Sequence, residues 1–423
     1  LIKKMSGILD LRKEILNEYT GYLKFARLFT LIDQTLKKEN INSNKKAVEF
    51  ITSTLTIIYE LSIKEKIFGV AESAANFAEQ IGLNPSDISI DTKVIEKNME
   101  EFKAKVEAKK IEIEKAKKSQ KKDIVRIEYY NLGELFFENG SMVKAADAYR
   151  ISYCFSINTE DIVTSSIKLG IVSLYNKNYT FGLKFVKEAV YKNLQTPQED
   201  NISNLLNTVH SLLHLGLGNL KDSAQCMWEL PICKSEEFYL FGTERDLAFY
   251  AIICGLLTLQ RKQFKEDYYS KPNFRILLEN YPEMLELGST FINFDFDKYF
   301  KLLTQFQNEF RYDFYLSKSF GSMMQKCKKK VLVTYITPYK TVNLVEMADS
   351  IGMSIEDTER SVEELIETNE IKYKINKYNK SLSAKTEDYK LESFKKAVKI
   401  GDGFLKGMET MLLKYHLRNT AGK

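Results

Sequence analysis

Residues 331–384, VLVTYITPYKTVNLVEMADSIGMSIEDTERSVEELIETNEIKYKINKYNKSLSA, decide the fold. Leu344, Val345, Met347, Ala348 and Ile351 make one apolar stripe at helical spacing. Gly352 follows, where a helix end needs a residue that tolerates positive φ. Ser354 reads as the N-cap of a second helix, with Asp357 three positions on. Ile355, Val362, Leu365 and Ile366 face one side of that helix. Ile371, Tyr373 and Ile375 then alternate with Lys372 and Lys374, which is strand spacing. Residues 376–379 can turn the chain back into a second strand at 380–384. The order helix, short strand, helix, turn, helix and two-strand wing is a winged-helix pattern.

A winged helix suggests DNA, with its last helix in the major groove. Here that helix carries Glu356, Asp357, Glu359, Glu363, Glu364 and Glu367 against one base, Arg360. Phosphate contacts need Lys or Arg, so a duplex would repel this face. The wing's outer strand offers backbone groups to another protein's sheet instead, which makes Ile371, Lys372, Tyr373, Lys374 and Ile375 a candidate interface. The plainer alternative is a capped edge on which the lysines act as gatekeepers.

Beyond the wing the chain steps by three and four through Leu391, Phe394, Val398, Gly401, Leu405, Met408, Leu412 and Tyr415. Only Gly401 breaks this seam of about four heptads. The helix could pack on its own domain. It follows the last expected strand, however, with little fold left to pack on, so we read Leu391, Phe394, Val398, Leu405, Met408, Leu412 and Tyr415 as facing an intermolecular bundle.

Upstream lies a helical stem. The stretch YYNLGELFFENGSMVKAADAYRIS from Tyr129 fits a tetratricopeptide-type helix pair. Tyr129 takes the bulky aromatic position, then Leu132, Gly133 and Phe136, and Ala145 and Tyr149 lie on the second helix. Gly170, Gly182, Val186 and Ala189 echo the pattern, and 217–228 (LGNLKDSAQCMW) echoes it again, with Ala224 and Trp228 in the small and aromatic positions. Such units bury their apolar faces only by stacking. Residues 8–85 read as amphipathic helices ended at Asn84-Pro85, with a loop to Asp91. Residues 93–122 read as a long charged helix, solvated and connecting rather than a basic arm, because acids are interleaved throughout. Pro272 and Pro282 mark helix starts or loops, and 291–300 (FINFDFDKYF) reads as a turn between helices. The reading is mainly α: a TPR-like solenoid, a winged helix and a C-terminal bundle helix. The expected divisions are 1–90 N-terminal helices, 91–128 connecting helix, 129–315 repeats, 316–384 winged helix and 385–423 bundle helix.

Composition agrees with a helical chain of several domains. There are 423 residues, 44% hydrophobic, with 6 Pro and 19 Gly. The net charge of +5 demands no acidic partner. The apolar run 247–257 is too short to span a bilayer and reads as a core helix; no signal peptide is visible. Five scattered Cys, with Cys154 and Cys254 inside apolar helical runs, read as buried free thiols.

No catalytic constellation is evident. Walker, dinucleotide-binding and G-x-S-x-G motifs are missing, and carboxylate pairs lie on polar helix faces. His210 and His214 stand at i, i+4 near Cys226 and Cys233, a spacing matching no standard zinc finger, so a packed histidine pair is the preferred reading. Neither cofactor nor metal is expected, and no His-x-His isopeptidase motif occurs.

A helical-repeat stem running into a C-terminal winged helix resembles the PCI-domain family. These are scaffold subunits of the proteasome lid, the COP9 signalosome and the translation initiation factor three complex. Within it the chain looks like the signalosome subunit 1 branch: 18–32 (EYTGYLKFARLFTLI), 131–149, 274–279 (FRILLE), 335–339 (YITPY) and 411–419 (MLLKYHLRN) are similar to that branch's segments in order and spacing. The homologous proteasome lid subunit is the runner-up, and a winged-helix nucleic-acid binder ranks below it. The resemblance implies a non-catalytic scaffold in a complex that removes a ubiquitin-like modifier from cullin-RING ubiquitin ligases. It implies winged helices stacked edge to edge with subunits 2 and 3, and a shared C-terminal helical bundle. It also implies indirect contact with cullin ligases, no membrane or nucleic-acid partner, and a place in cytoplasm and nucleus.

Overall fold

The computed structural model describes residues 2–38, 45–81, 92–118, 121–230, 236–317, 319–385 and 389–421. The expected helix stop at Asn84-Pro85, the 86–91 loop and Cys233 lie outside them. The chain divides into two compact units, Leu1–Val331 and Leu332–Lys423.

The first unit is helical throughout its described residues. Four helices open it: α1 (Ile2–Glu18), α2 (Gly21–Lys38), α3 (Lys45–Lys64) and α4 (Phe68–Ile81). Then come α5 (Thr92–Lys118), α6 (Lys122–Glu138), α7 (Met142–Phe155), α8 (Thr159–Tyr175), α9 (Tyr179–Gln195), α10 (Asp200–Leu217) and α11 (Leu220–Glu229). Successive members of this run pack as antiparallel hairpins. The helices approach closely where the sequence placed small residues. A Cβ on Gly133 would lie 2.6 Å from the Tyr149 ring, and one on Gly170 would lie 2.3 Å from Val209 Cγ1. No larger side chain fits at either crossing.

The stem continues through α12 (Glu244–Thr258), α13 (Arg261–Ser270), α14 (Pro272–Glu279), α15 (Pro282–Asn293), α16 (Phe296–Glu309) and α17 (Phe320–Ile336). Both prolines open helices, where a missing N–H costs nothing. Phe294 ends α15 at φ 63°, so 291–300 is a turn between helices. α12 is buried from Asp246 to Leu256, as its unbroken apolar run implies. A capping box fixes its start: Asp246 N–H donates to Thr243 Oγ1 at 3.2 Å and Thr243 N–H to Asp246 Oδ2 at 3.1 Å.

Arg27 of α2, only 6% exposed, reaches this start. Its Nη2 lies 2.7 Å from Asp246 Oδ2 and 3.0 Å from Asp313 Oδ2. The Tyr19 hydroxyl donates to Asp246 Oδ2 at 2.8 Å, and the Tyr250 hydroxyl to Asp313 Oδ2 at 2.5 Å. Asp313 Oδ1 accepts the N–H groups of Tyr315 and Leu316 at 2.9 and 3.0 Å. Two buried carboxylates thus share one guanidinium, and the remaining acceptor capacity is largely filled.

Two expectations need correction. The charged helix α5 is not merely solvated: Val106, Ile113 and Ala116 are buried and Phe102 meets Phe136 of α6 edge-on at 6.0 Å. A narrow apolar spine, hidden among interleaved charges, packs it against the first repeat. Cys154 is exposed, not buried. α7 buries Ala145, Ala148, Tyr149 and Ser152, and a residue two positions past Ser152 is turned roughly 200° away.

In the second unit, β1 (Thr341–Asn343), α18 (Leu344–Ile351), α19 (Ile355–Glu367), β2 (Tyr373–Asn376) and β3 (Ser381–Ala384) form the winged helix. Asn343 caps α18 by accepting from Val345 N–H at 3.0 Å, and Gly352 ends it at φ 70°. Ser354 accepts from Asp357 N–H at 3.2 Å to start α19. The sheet order is β1–β3–β2, antiparallel, with Tyr373 opposite Ala384 and Ile375 opposite Leu382. The final helix, α20 (Tyr389–Ala421), runs 33 residues.

Candidate protein-interaction surfaces

The register decides which groups β2 presents outward. Lys385 N–H donates to Lys372 C=O at 2.9 Å. In an antiparallel ladder hydrogen-bonded pairs alternate along the strand. Lys374 and Asn376 therefore bond inward to β3, while the backbone N–H and C=O of Tyr373 and Ile375 point off the free edge. Among the five expected edge residues, Ile371 does not belong. Its side chain is buried, and its N–H bonds back to Leu365 C=O at 3.3 Å as part of the α19 terminus. Strand spacing alone could not separate it from the strand that starts two residues later.

Tyr373 is also an anchor. Its hydroxyl lies 2.7 Å from the carbonyl of Tyr339 and 3.1 Å from that of Ile336, donating to one at a time. Both carbonyls flank the turn that follows α17 at Pro338, where Ile336 C=O also accepts the Tyr339 N–H at 3.0 Å. The YITPY stretch thus seats the edge strand. Lys377 of the wing turn pairs with acids of α19, 2.7 Å from Glu363 and 3.8 Å from Glu359.

α20 extends about 50 Å at 1.5 Å per residue. Every described side chain from 393 to 417 is exposed, including Leu405 (61%), Met408 (49%) and Leu412 (57%). Phe394, Val398 and Tyr415 of the seam are exposed too, while the Leu391 side chain lies outside the described residues. The heptad reading missed a second row: Ile400, Phe404 and Met411 are likewise exposed and flank the seam. At 100° per residue the two rows span roughly 160° of the helix. Leu413 and Leu417 extend the apolar surface around the far side near the end. A single two-stranded seam covers less than this, so the surface suits several neighbours at once.

The histidine pair is packed. His214 is 3% exposed, and its Nε2 lies 3.1 Å from His210 Nε2; His210 Nδ1 lies 3.7 Å from Cys226 Sγ. Among the described residues no group of three or more His, Cys, Asp or Glu is placed to hold a metal. Burial pushes the His210 imidazole down to about 4, with His214 and Lys187 adding to the shift and Asp222 opposing it. A depressed folded pKa contributes stability that is present above the unfolded value of about 6.5 and is lost as pH falls toward 4. His210→Gln is therefore expected to flatten the acid side of the stability curve. Between pH 7 and pH 4.5 the wild type is expected to lose about 1–2 kcal/mol more than the variant in denaturant titrations, after allowance for partial solvent screening.

Comparison with known proteins accords with this architecture. Residues 91–267 match the family described as 26S proteasome subunit RPN7, and residues 303–386 match the PCI domain. The chain is similar to COP9 signalosome complex subunit 1 of Arabidopsis thaliana, 25% identical over 319 residues, covering 74% of this chain and 71% of that protein. It is 21% identical to subunit 1b of Drosophila melanogaster over 77% of this chain, spanning 62% of the fly protein. It is 22% identical to 26S proteasome regulatory subunit RPN7 of Saccharomyces cerevisiae over 413 residues, 94% of this chain and 93% of that one.

Proposed function

From a PCI domain placed behind an RPN7-type helical stem, we propose that this chain is a non-catalytic scaffold subunit of a COP9 signalosome. The observation that supports it most is α20. A helix apolar over so wide an arc belongs inside an assembly, and by itself the chain leaves it in solvent. In such a complex the chain contributes geometry: the β2 edge pairs with a neighbouring PCI sheet, and α20 joins a bundle with helices of the other subunits. Removal of the ubiquitin-like modifier from cullins falls to a companion isopeptidase, and cullin-RING ligases meet this chain indirectly. The neighbours are then subunits 2 and 3, in cytoplasm and nucleus.

A second reading, the equivalent scaffold of the 26S proteasome lid, is favoured by the reach of the yeast RPN7 similarity along 94% of the chain. Mass spectrometry of the natively purified complex separates the two. Signalosome companions support the first, proteasome ATPases and lid subunits the second, and a solitary chain overturns both.

Edge pairing has its own test. Ile375→Pro removes a donor aimed off the sheet, whereas Lys374→Pro removes one aimed at β3. The Lys374 variant is expected to lose about 1–3 kcal/mol of domain stability from the broken ladder. The Ile375 variant is expected to lose less, yet to bind a neighbouring PCI subunit more weakly in pull-downs. Equal binding by folded Ile375→Pro protein would count against the edge.

A further inference from the structure

The stretch 18–32 takes no part in either docking surface, yet it holds Tyr19 and Arg27. Helices α1–α4 behave as one layer: Phe29 of α2 meets Phe77 of α4 edge-on at 5.9 Å, Lys24 pairs with Glu65 at 3.5 Å, and Arg12 donates to Ser53 of α3 at 2.8 Å. This layer touches the stem at points far apart along the chain. Gly69 N–H donates to Asn139 C=O at 2.8 Å, in the α6–α7 turn, and Gly140 sits against Ile67 and Val70. The Tyr22 ring lies 4.9 Å from Tyr175 at the end of α8. Arg27 and Tyr19 reach Asp246 and Asp313, more than two hundred residues along the chain.

Each carboxylate is already held by its own segment, Asp246 by the α12 capping box and Asp313 by two backbone amides. The stem therefore presents a prebuilt anionic socket, and the layer supplies the cation. Arg27 Nε has no hydrogen-bond partner among the described residues, and the guanidinium lies over the Tyr19 ring at 4.1 Å with its Nη2 on the two aspartates. We propose that α1–α4 form a strap bridging non-adjacent repeats, locked by Arg27 in the Asp246–Asp313 socket, and that it sets the curvature of the stem without being needed for the repeats to fold. Repeats that contact only their neighbours flex about each interface; a strap tied to non-adjacent repeats removes that freedom.

The Gly69 amide reports the contact of the strap with the α6–α7 turn. Hydrogen exchange on the full chain is to be followed in Arg27→Met, and in the triple variant Arg27→Met/Asp246→Asn/Asp313→Asn, which leaves no unpaired buried charge. In both, exchange at 67–70 and at 139–142 is expected to rise at least tenfold while the interiors of α8, α10 and α12 keep their protection. The radius of gyration from X-ray scattering is expected to grow. Uniform loss of protection in the triple variant would make the triad an ordinary core element, and unchanged Gly69 exchange there would remove its role as the lock. Either result overturns the proposal while leaving the scaffold assignment, which rests on α20, untouched.

Discussion

A chain carrying Leu405→Gln, Met408→Gln and Leu412→Gln is expected to stay folded and to fall out of its complex. Gln keeps helix propensity close to that of Leu and Met, so α20 still forms. All three side chains are exposed in the chain by itself, so its melting transition is expected to move by less than about 0.5 kcal/mol. In a bundle each would be buried, at about 1.5–3 kcal/mol apiece. Their joint loss, roughly 4–9 kcal/mol, weakens association at least a thousandfold. Co-purification with tagged companion subunits measures it. Stoichiometric recovery of the triple variant would sink the bundle assignment, and so would a large drop in melting temperature of the isolated chain. Lys399→Gln and Lys406→Gln, on the opposite face of the same helix, are expected to co-purify normally.

Trp228→Ala is expected to be the most damaging single change in the stem. The indole is fully buried, stacked on Phe274 at 4.9 Å and edge-on to Phe264 at 5.8 Å. Its Nε1–H donates to Ala251 C=O at 3.0 Å. Gly255 lies directly beneath, where an added Cβ would come 2.3 Å from Trp228 Cζ2. A loss of about 3–5 kcal/mol is expected from the lost burial and the cavity together, against a total of roughly 5–15 kcal/mol for a folded domain. Urea titration measures it; a loss under about 1 kcal/mol would mean the site relaxes freely. Gly255→Val probes the same contact from the other side and is expected to destabilise by overpacking.

The winged helix was legible because its signals are local. Asn343, Gly352 and Ser354 each cap a helix through atoms two to four residues away, and such chemistry is written in the adjacent sequence. The small and aromatic positions of the repeats were legible for the same reason. Sheet order and the direction of each edge amide were not, since they depend on which strand lies in the middle. The spine of α5 was within reach: Phe102, Val106, Ile113 and Ala116 keep helical spacing, though charges outnumber them. The Arg27 socket was out of reach. An arginine four residues after Leu23, on the buried face of α2, signals an internal ion pair, but nothing nearby names Asp246 or Asp313 as its partners. The misplaced Cys154 shows the opposite limit, since an apolar helix reveals which side is buried only when the neighbouring helix is known.

With β3 in the middle, both β1 and β2 are outer strands. The two margins differ: one is a three-residue strand ending at a helix cap, the other carries the anchored Tyr373. Joining unlike margins head to tail leaves a fresh margin at each step, so growth closes into a ring or continues until something blocks it. Under the edge pairing proposed above, such a molecule would be a link with two distinct couplings, and any finite row made from such links would require terminal members whose outer margin is covered.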